Sequence, residues 1–224
     1  MSEQTKIHPQ IEMGEVRLKV SNLARSLRFY EDVLGFRVAK QDAAYVELAA
    51  SDGNVLVLLD ELGEGANTPA KRTSGLYHFA LLLPSRQDLG LVLRRLIDKD
   101  IEIGQADHAV SEALYISDPD GHGIEIYRDR PRSEWTYDVD GNIHMVTEPI
   151  DWYGLLLEAE GQAWQGLPAG TKMGHVHLHV HDLAAARQFY CGQLGFDMML
   201  DGSQRMGALF VAAGGYHHHL GLNI

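Results

Sequence analysis

The chain repeats itself. Segment 22–36 reads NLARSLRFYEDVLGF and segment 182–196 reads DLAAARQFYCGQLGF. Both fit the frame (N/D)-L-x5-F-Y-x3-L-G-F, 160 residues apart. Such a repeat constrains the fold strongly, because each copy must build the same unit and the units must bury one another's apolar faces. Each copy follows an alternating stretch, Val16-Arg17-Leu18-Lys19-Val20 and Val176-His177-Leu178-His179-Val180, as a half-buried strand requires. Asn22 and Asp182 stand where an N-cap belongs, and the apolar residues after them recur at helical spacing. Gly35 and Gly195 stand where a helix closes through a left-handed residue.

Further strands follow each helix. Residues 44–50 and 55–59, split by Ser51-Asp52-Gly53-Asn54, predict a hairpin, and 208–213 and 216–222 around Gly214-Gly215 predict another. A third unit lies between the two copies. A strand over 77–83 leads to a helix over 85–98, then strands near 101–103, 113–117 and 123–128, with Asp118-Pro119-Asp120-Gly121 as a turn. The chain therefore reads as three βαβββ modules, at 14–60, 75–129 and 174–222. The expected division is a first domain over 1–130, a linker over 131–173 with a short helix at 150–158, and the start of a second domain over 174–224. A lone module needs a second layer, so a fourth module of about 60 residues is expected to complete it.

Charge narrows the partners. The sequence has 19 Lys and Arg against 31 Asp and Glu, a formal charge of −12, which disfavours nucleic acid. No apolar run is long enough to span a membrane, and Met1-Ser2-Glu3-Gln4-Thr5-Lys6 has no apolar core of a signal peptide. Cys191 is the only cysteine, so no internal disulfide forms, and a cytoplasmic location is expected. The twelve histidines are the unusual feature, and they cluster.

The α+β architecture of repeated βαβββ modules, with the F-Y-x3-L-G-F frame, resembles the vicinal oxygen chelate superfamily of glyoxalases, bleomycin-resistance proteins and extradiol dioxygenases. The resemblance implies modules paired into half-open barrels around a divalent metal. It also implies metal-facing positions on the first and last strand of each module. The first-strand position, seven residues before the cap, is Glu15, His78 and His175, and the last-strand position is read as Val57, Glu125 and His219. Val57 cannot bind a metal, so module one is blank and the site is expected between modules two and three. A lone histidine is more often a satisfied core or surface residue. Four ligand-type residues at matching module positions are much harder to explain that way.

Module two carries a sharper pattern. From His108 the sequence runs H-A-V-S-E-A-L-Y-I-S-D-P-D-G-H-G-I-E to Glu125. This resembles the extradiol dioxygenase signature, and the whole chain is most similar to the Bacillus-type catechol-2,3-dioxygenase family. The resemblance implies His78, His175 and Glu125 as ligands of Fe(II), with Mn(II) as the alternative. Two imidazoles and a carboxylate with open positions suit such a metal. Tyr115 and His108 would contact substrate oxygen, and a histidine of module three would serve as acid/base. If 216–222 is a strand, His217 and His219 share one face and His218 takes the other. His219 is favoured by its match to Glu125, with His218 as rival if the strand is bulged. The implied enzyme is an extradiol dioxygenase acting on a small aromatic diol and O2, in a homo-oligomer. A glyoxalase-like or thiol-transferase metalloenzyme with His219 as fourth ligand, and a non-enzymatic ligand-sequestering protein, are the alternatives.

Overall fold

A computed structural model describes residues 6–63, 73–139 and 142–224. Residues 1–5, most of the N-terminal segment read above, lie outside the described residues. Module one contains β1 (Val16–Val20), α1 (Leu23–Asp32), β2 (Arg37–Gln41), β3 (Tyr45–Ala49) and β4 (Val55–Glu61). Module two contains β5 (Gly75–Leu82), α2 (Arg86–Asp98), β6 (Gly104–Asp107), β7 (Ser111–Ser117) and β8 (Gly123–Asp129). The linker carries α3 (Trp152–Glu158). Module three contains β9 (Lys172–His179), α4 (Leu183–Arg187), β10 (Asp197–Gly202), β11 (Ala208–Ala212) and β12 (Leu220–Asn223). Every module is thus βαβββ.

The local chemistry behind this order is that of the repeat. Asn22 accepts the Arg25 N–H, Ser85 the Asp88 N–H and Asp182 the Ala185 N–H, so each helix starts on a side-chain cap. Gly35 and Gly195 take φ of 74° and 86°, the left-handed closure their position predicts. Two expected strands differ. The stretch 101–103 is still turning off α2, with Asp100 at φ 54° and the Ile101 N–H on the Leu96 carbonyl, so β6 begins at Gly104. Near the C-terminus only Leu220–Asn223 is strand, because Gly214 and Gly215 both have positive φ and the chain is still in a turn at Tyr216. The alternation argument for His217, His218 and His219 therefore does not apply. Module three's helix is also short, and widens into a π-type turn over Gln188–Gln193.

Two sheets form. Module one alone makes a four-stranded sheet in the order β1-β4-β3-β2. Modules two and three share an eight-stranded sheet, β10-β11-β12-β9-β5-β8-β7-β6, joined where the two first strands β5 and β9 pair antiparallel. The apolar core follows a different grouping. Leu18, Tyr30 and Leu34 of module one pack in one buried cluster with Phe79, Leu93 and Leu96 of module two. The Asp118–Gly121 turn ties the same two modules, since Asp120 accepts from Ser21 and Arg25 and Asp118 accepts from the Tyr30 hydroxyl. The core thus binds module two to module one, and the sheet binds it to module three.

Candidate metal centre

The seam between β5 and β9 sets the site. Ladder pairing places Ala80 opposite Glu125 on β8 and opposite His175 on β9, and Glu125 opposite Tyr115 on β7. Residues directly opposed across a ladder share a face. His175, Ala80, Glu125 and Tyr115 therefore stand in one rank across four strands, and His78 sits on the same face two residues before Ala80. With only a methyl group on Ala80, the longer side chains can converge over it.

They do converge. One ligand atom from each of His78, Glu125 and His175 lies within 4.8 Å of the others. Both imidazole Nε2 atoms are 3.0 Å from the same carboxylate oxygen, Glu125 Oε2. His175 makes a hydrogen bond there, whereas His78 Nε2 is off the hydrogen-bond angle and is buried without a partner. A buried nitrogen with no partner is costly unless something else fills its lone pair. All three residues are buried, at 6% or less exposure. Burial raises the Glu125 carboxyl, but the His175 and His78 imidazoles outweigh it and hold the pKa well below the ordinary carboxylate value. Burial pushes the His175 imidazole down. An ionised carboxylate and a neutral imidazole are the protonation states in which these groups bind metal.

A cavity of about 490 Å³ opens on this cluster. Its polar wall includes His78, Glu125, Tyr115, His108, His177 and His218. Met145, Leu200, Met206 and Phe210 make its apolar wall. The Tyr115 hydroxyl and His108 Nε2 are 2.8 Å apart, and His108 Nδ1 is 2.7 Å from the Val146 carbonyl. A carbonyl only accepts, so His108 carries its hydrogen on Nδ1 and receives the tyrosine hydroxyl at Nε2. Burial, then the Glu125 charge, raises the Tyr115 phenol well above its usual pKa. His177 Nε2 is likewise buried without a partner, and burial with the neighbouring His78 and His175 pushes this imidazole down to about 3.

The histidine run at 217–219 separates. His218 lines the metal-facing cavity, with its ring centroid 4.1 Å from that of His175. His219 does not reach it. Its Nδ1 accepts the Ala213 N–H, and it lines another cavity with Glu15, Arg132 and Lys172. Ladder register explains the difference. The pairs matching Ala80–Glu125 are Arg17–Leu58 in module one and His177–Gly221 in module three. The last-strand positions are therefore Leu58 and Gly221, not the Val57 and His219 expected from the sequence. Loop lengths between first and last strands differ among modules, so counting along the chain slips where the ladder does not.

Several neighbours of the site were not singled out from sequence. The Val146 carbonyl belongs to the linker and has no side-chain signal. Asp129 bonds His217 and Tyr216, and its signal was available: Glu125, Tyr127 and Asp129 alternate along β8 and so share a face. Gly174 makes room beside His175, since a Cβ there would stand 1.8 Å from the Tyr127 hydroxyl.

Comparison with known proteins places this geometry. Residues 12–126 match the Glyoxalase/Bleomycin resistance protein/Dioxygenase superfamily. The chain belongs to this superfamily. Residues 172–202 match the Bleomycin resistance protein-like N-terminal family, so module three carries the superfamily's mark as well. The chain is 51% identical over 220 residues to a catechol-2,3-dioxygenase of Bacillus subtilis strain 168, covering 98% of this chain and 77% of the relative. It is 32% identical over 114 residues to biphenyl-2,3-diol 1,2-dioxygenase 3 of Rhodococcus globerulus, covering 50% of this chain and 60% of the relative. A solved structure of a proposed dioxygenase from Bacillus subtilis subsp. subtilis strain 168 shares the superfamily fold, with a TM-score of 0.60 at 13% identity over 95% of this chain and 64% of its own. Among the described residues, no helix is long and apolar enough to cross a membrane.

Proposed function

We propose that the chain is an extradiol ring-cleaving dioxygenase that acts on catechol or a substituted catechol with Fe(II) and O2. The observation that carries this reading is the convergence of His78, Glu125 and His175 beneath a cavity that also holds the Tyr115–His108 pair. The identity to the Bacillus subtilis catechol-2,3-dioxygenase supports it. His78, His175 and Glu125 would hold the metal, and the partnerless His78 Nε2 fits that role. Two imidazoles and a carboxylate suit Fe(II) with open positions, and Mn(II) shares those ligand preferences. Bound there, the metal supplies open positions for a vicinal diol and O2 and a path for electrons between them.

The chain's own residues do the rest. The apolar wall of Met145, Leu200, Met206 and Phe210 can pack an aromatic ring and exclude water. Tyr115, its hydroxyl hydrogen given to His108, leaves a fixed oxygen that can accept a diol O–H. Burial, then the neighbouring His175 and His217, push the His218 imidazole pKa well below its usual value and keep it neutral, and its place on the cavity wall suits it to exchange a proton with the diol. Cytoplasmic location and homo-oligomerisation are part of the same reading. So is the assignment of the catalytic unit to modules two and three.

The glyoxalase-like alternative needs His219 as a fourth ligand, and His219 faces another cavity. The test is metal content together with O2 uptake on one sample supplied with catechol. Iron in the protein and O2 consumed mole for mole with catechol are expected. Catechol binding without O2 uptake by the iron-loaded protein would overturn the reading.

A further inference from the structure

His218 is not alone behind the cavity. His218 Nδ1 lies 2.7 Å from His217 Nδ1, and His217 Nε2 lies 2.9 Å from Asp129 Oδ1. The other oxygen of Asp129 accepts the Tyr216 hydroxyl at 3.0 Å, and the Tyr127 hydroxyl lies 2.7 Å from that of Tyr216. His217 is fully buried and its ring packs 5.6 Å from the indole of Trp135. Neither Asp129 nor His217 lines the cavity that holds His218.

We propose that Asp129 and His217 are positioning residues that fix the ring orientation and the tautomer of His218. The inference rests on the reading of His218 as the acid/base group. An ionised carboxylate only accepts, so His217 places its hydrogen on Nε2, toward Asp129. With its one hydrogen on Nε2, His217 has a lone pair on Nδ1, and the bond to His218 requires the hydrogen on His218 Nδ1. His218 Nε2, the nitrogen His217 does not engage, is left as the acceptor that can take a proton from a diol. Asp129 thus selects which nitrogen of His218 is basic without touching substrate. Tyr216 and Tyr127 hold the carboxylate in place, on the strand that also carries Glu125.

The direct test is nitrogen-15 NMR of histidine-labelled, metal-free protein, with His218 assigned by the signal lost in His218→Gln. His218 is expected to carry its hydrogen on Nδ1. In Asp129→Asn the amide can donate to His217 Nε2, which moves the His217 hydrogen to Nδ1 and reverses the His218 tautomer. With catechol, kcat of the iron-loaded Asp129→Asn protein should fall on the order of 10²-fold, the scale of a misdirected general base. KM should stay within about 3-fold, because Asp129 is outside the cavity. Should Asp129→Asn not fold, His217→Phe keeps the ring against Trp135 and removes both bonds, with the same expected loss of kcat. A hydrogen on His218 Nε2 in the unsubstituted protein overturns the proposal, as does a folded Asp129→Asn with unchanged tautomer and kcat. If the tautomer is as expected but His218→Ala retains full turnover, the reading of His218 as acid/base fails, and the tautomer assignment stands.

Discussion

Module one and module two are built alike and packed in one core, yet their matching sheet faces carry different chemistry. Where module two places His78, Ala80 and Glu125, module one places Glu15, Arg17 and Leu58. Where module two has Tyr127, module one has Asp60, which holds Arg17 through two contacts of 2.5 and 2.7 Å. Lys19 also reaches Asp60, and Lys40 reaches Glu47. The cations of this set lie in solvent, with the Arg17 side chain 61% exposed, over an Asp60 carboxylate that is largely covered. Module two's polar groups are instead buried, and converge with those of module three on a common point. The same βαβββ frame therefore yields an ion-pair face in one place and a buried His–Glu–His cluster in another. What differs is whether a second first strand packs alongside, as β9 does against β5.

The sharpest way to break this contrast is to remove a carboxylate from each module. Glu125→Ala should abolish catechol turnover and lower metal affinity by more than the roughly 10–100-fold typical of a ligand's outer partner. Glu15→Ala should change neither, as judged by metal per chain and O2 uptake. The next contrast lies within the histidine run. His218→Ala should keep the metal and lose about 10²–10⁴-fold in turnover, while His219→Ala keeps both.

A smaller effect concerns how the cluster is packed. Gly174→Ala would push a Cβ against the Tyr127 hydroxyl and should destabilise the fold by about 1–3 kcal/mol in urea unfolding. Tyr127→Phe in the same chain should recover part of that loss. The smallest expected effect belongs to module one. The Arg17 guanidinium holds the Asp60 carboxyl down to about 2, below its unfolded value. Its stabilisation is present above the unfolded pKa, near 4, and is lost as pH falls through the folded one. Comparing urea midpoints of the natural chain and Asp60→Asn from pH 7 toward pH 2 should show a gap that closes on acidification. That gap stays below about 1 kcal/mol, because Arg17 is exposed.

Much of this was readable in the chain. The repeat frame and its caps locate modules one and three, the strand and helix pattern between them locates module two, and His78 and His175 fall at corresponding first-strand positions with Glu125 on a last strand. Tyr115 and His108 were visible through their spacing to Glu125. The last-strand positions of modules one and three were not, because ladder register depends on loop lengths that no periodicity reveals. The choice between His218 and His219 failed for a related reason. Two positive-φ glycines keep residues 216–219 out of the strand, so strand alternation gives no guidance there. That modules two and three share the cluster follows from which modules carry ligand-type residues, whereas the antiparallel pairing of β5 with β9 that joins them has no sequence signal.

On the proposed reading, one metal centre draws one imidazole from module two and one from module three. X-ray absorption of the iron-loaded protein counts those imidazoles directly. Two per iron are expected in the natural chain, one in His78→Gln, one in His175→Gln and two in His219→Gln. Three imidazoles in the natural chain, or a count left unchanged by either His78→Gln or His175→Gln, would contradict it.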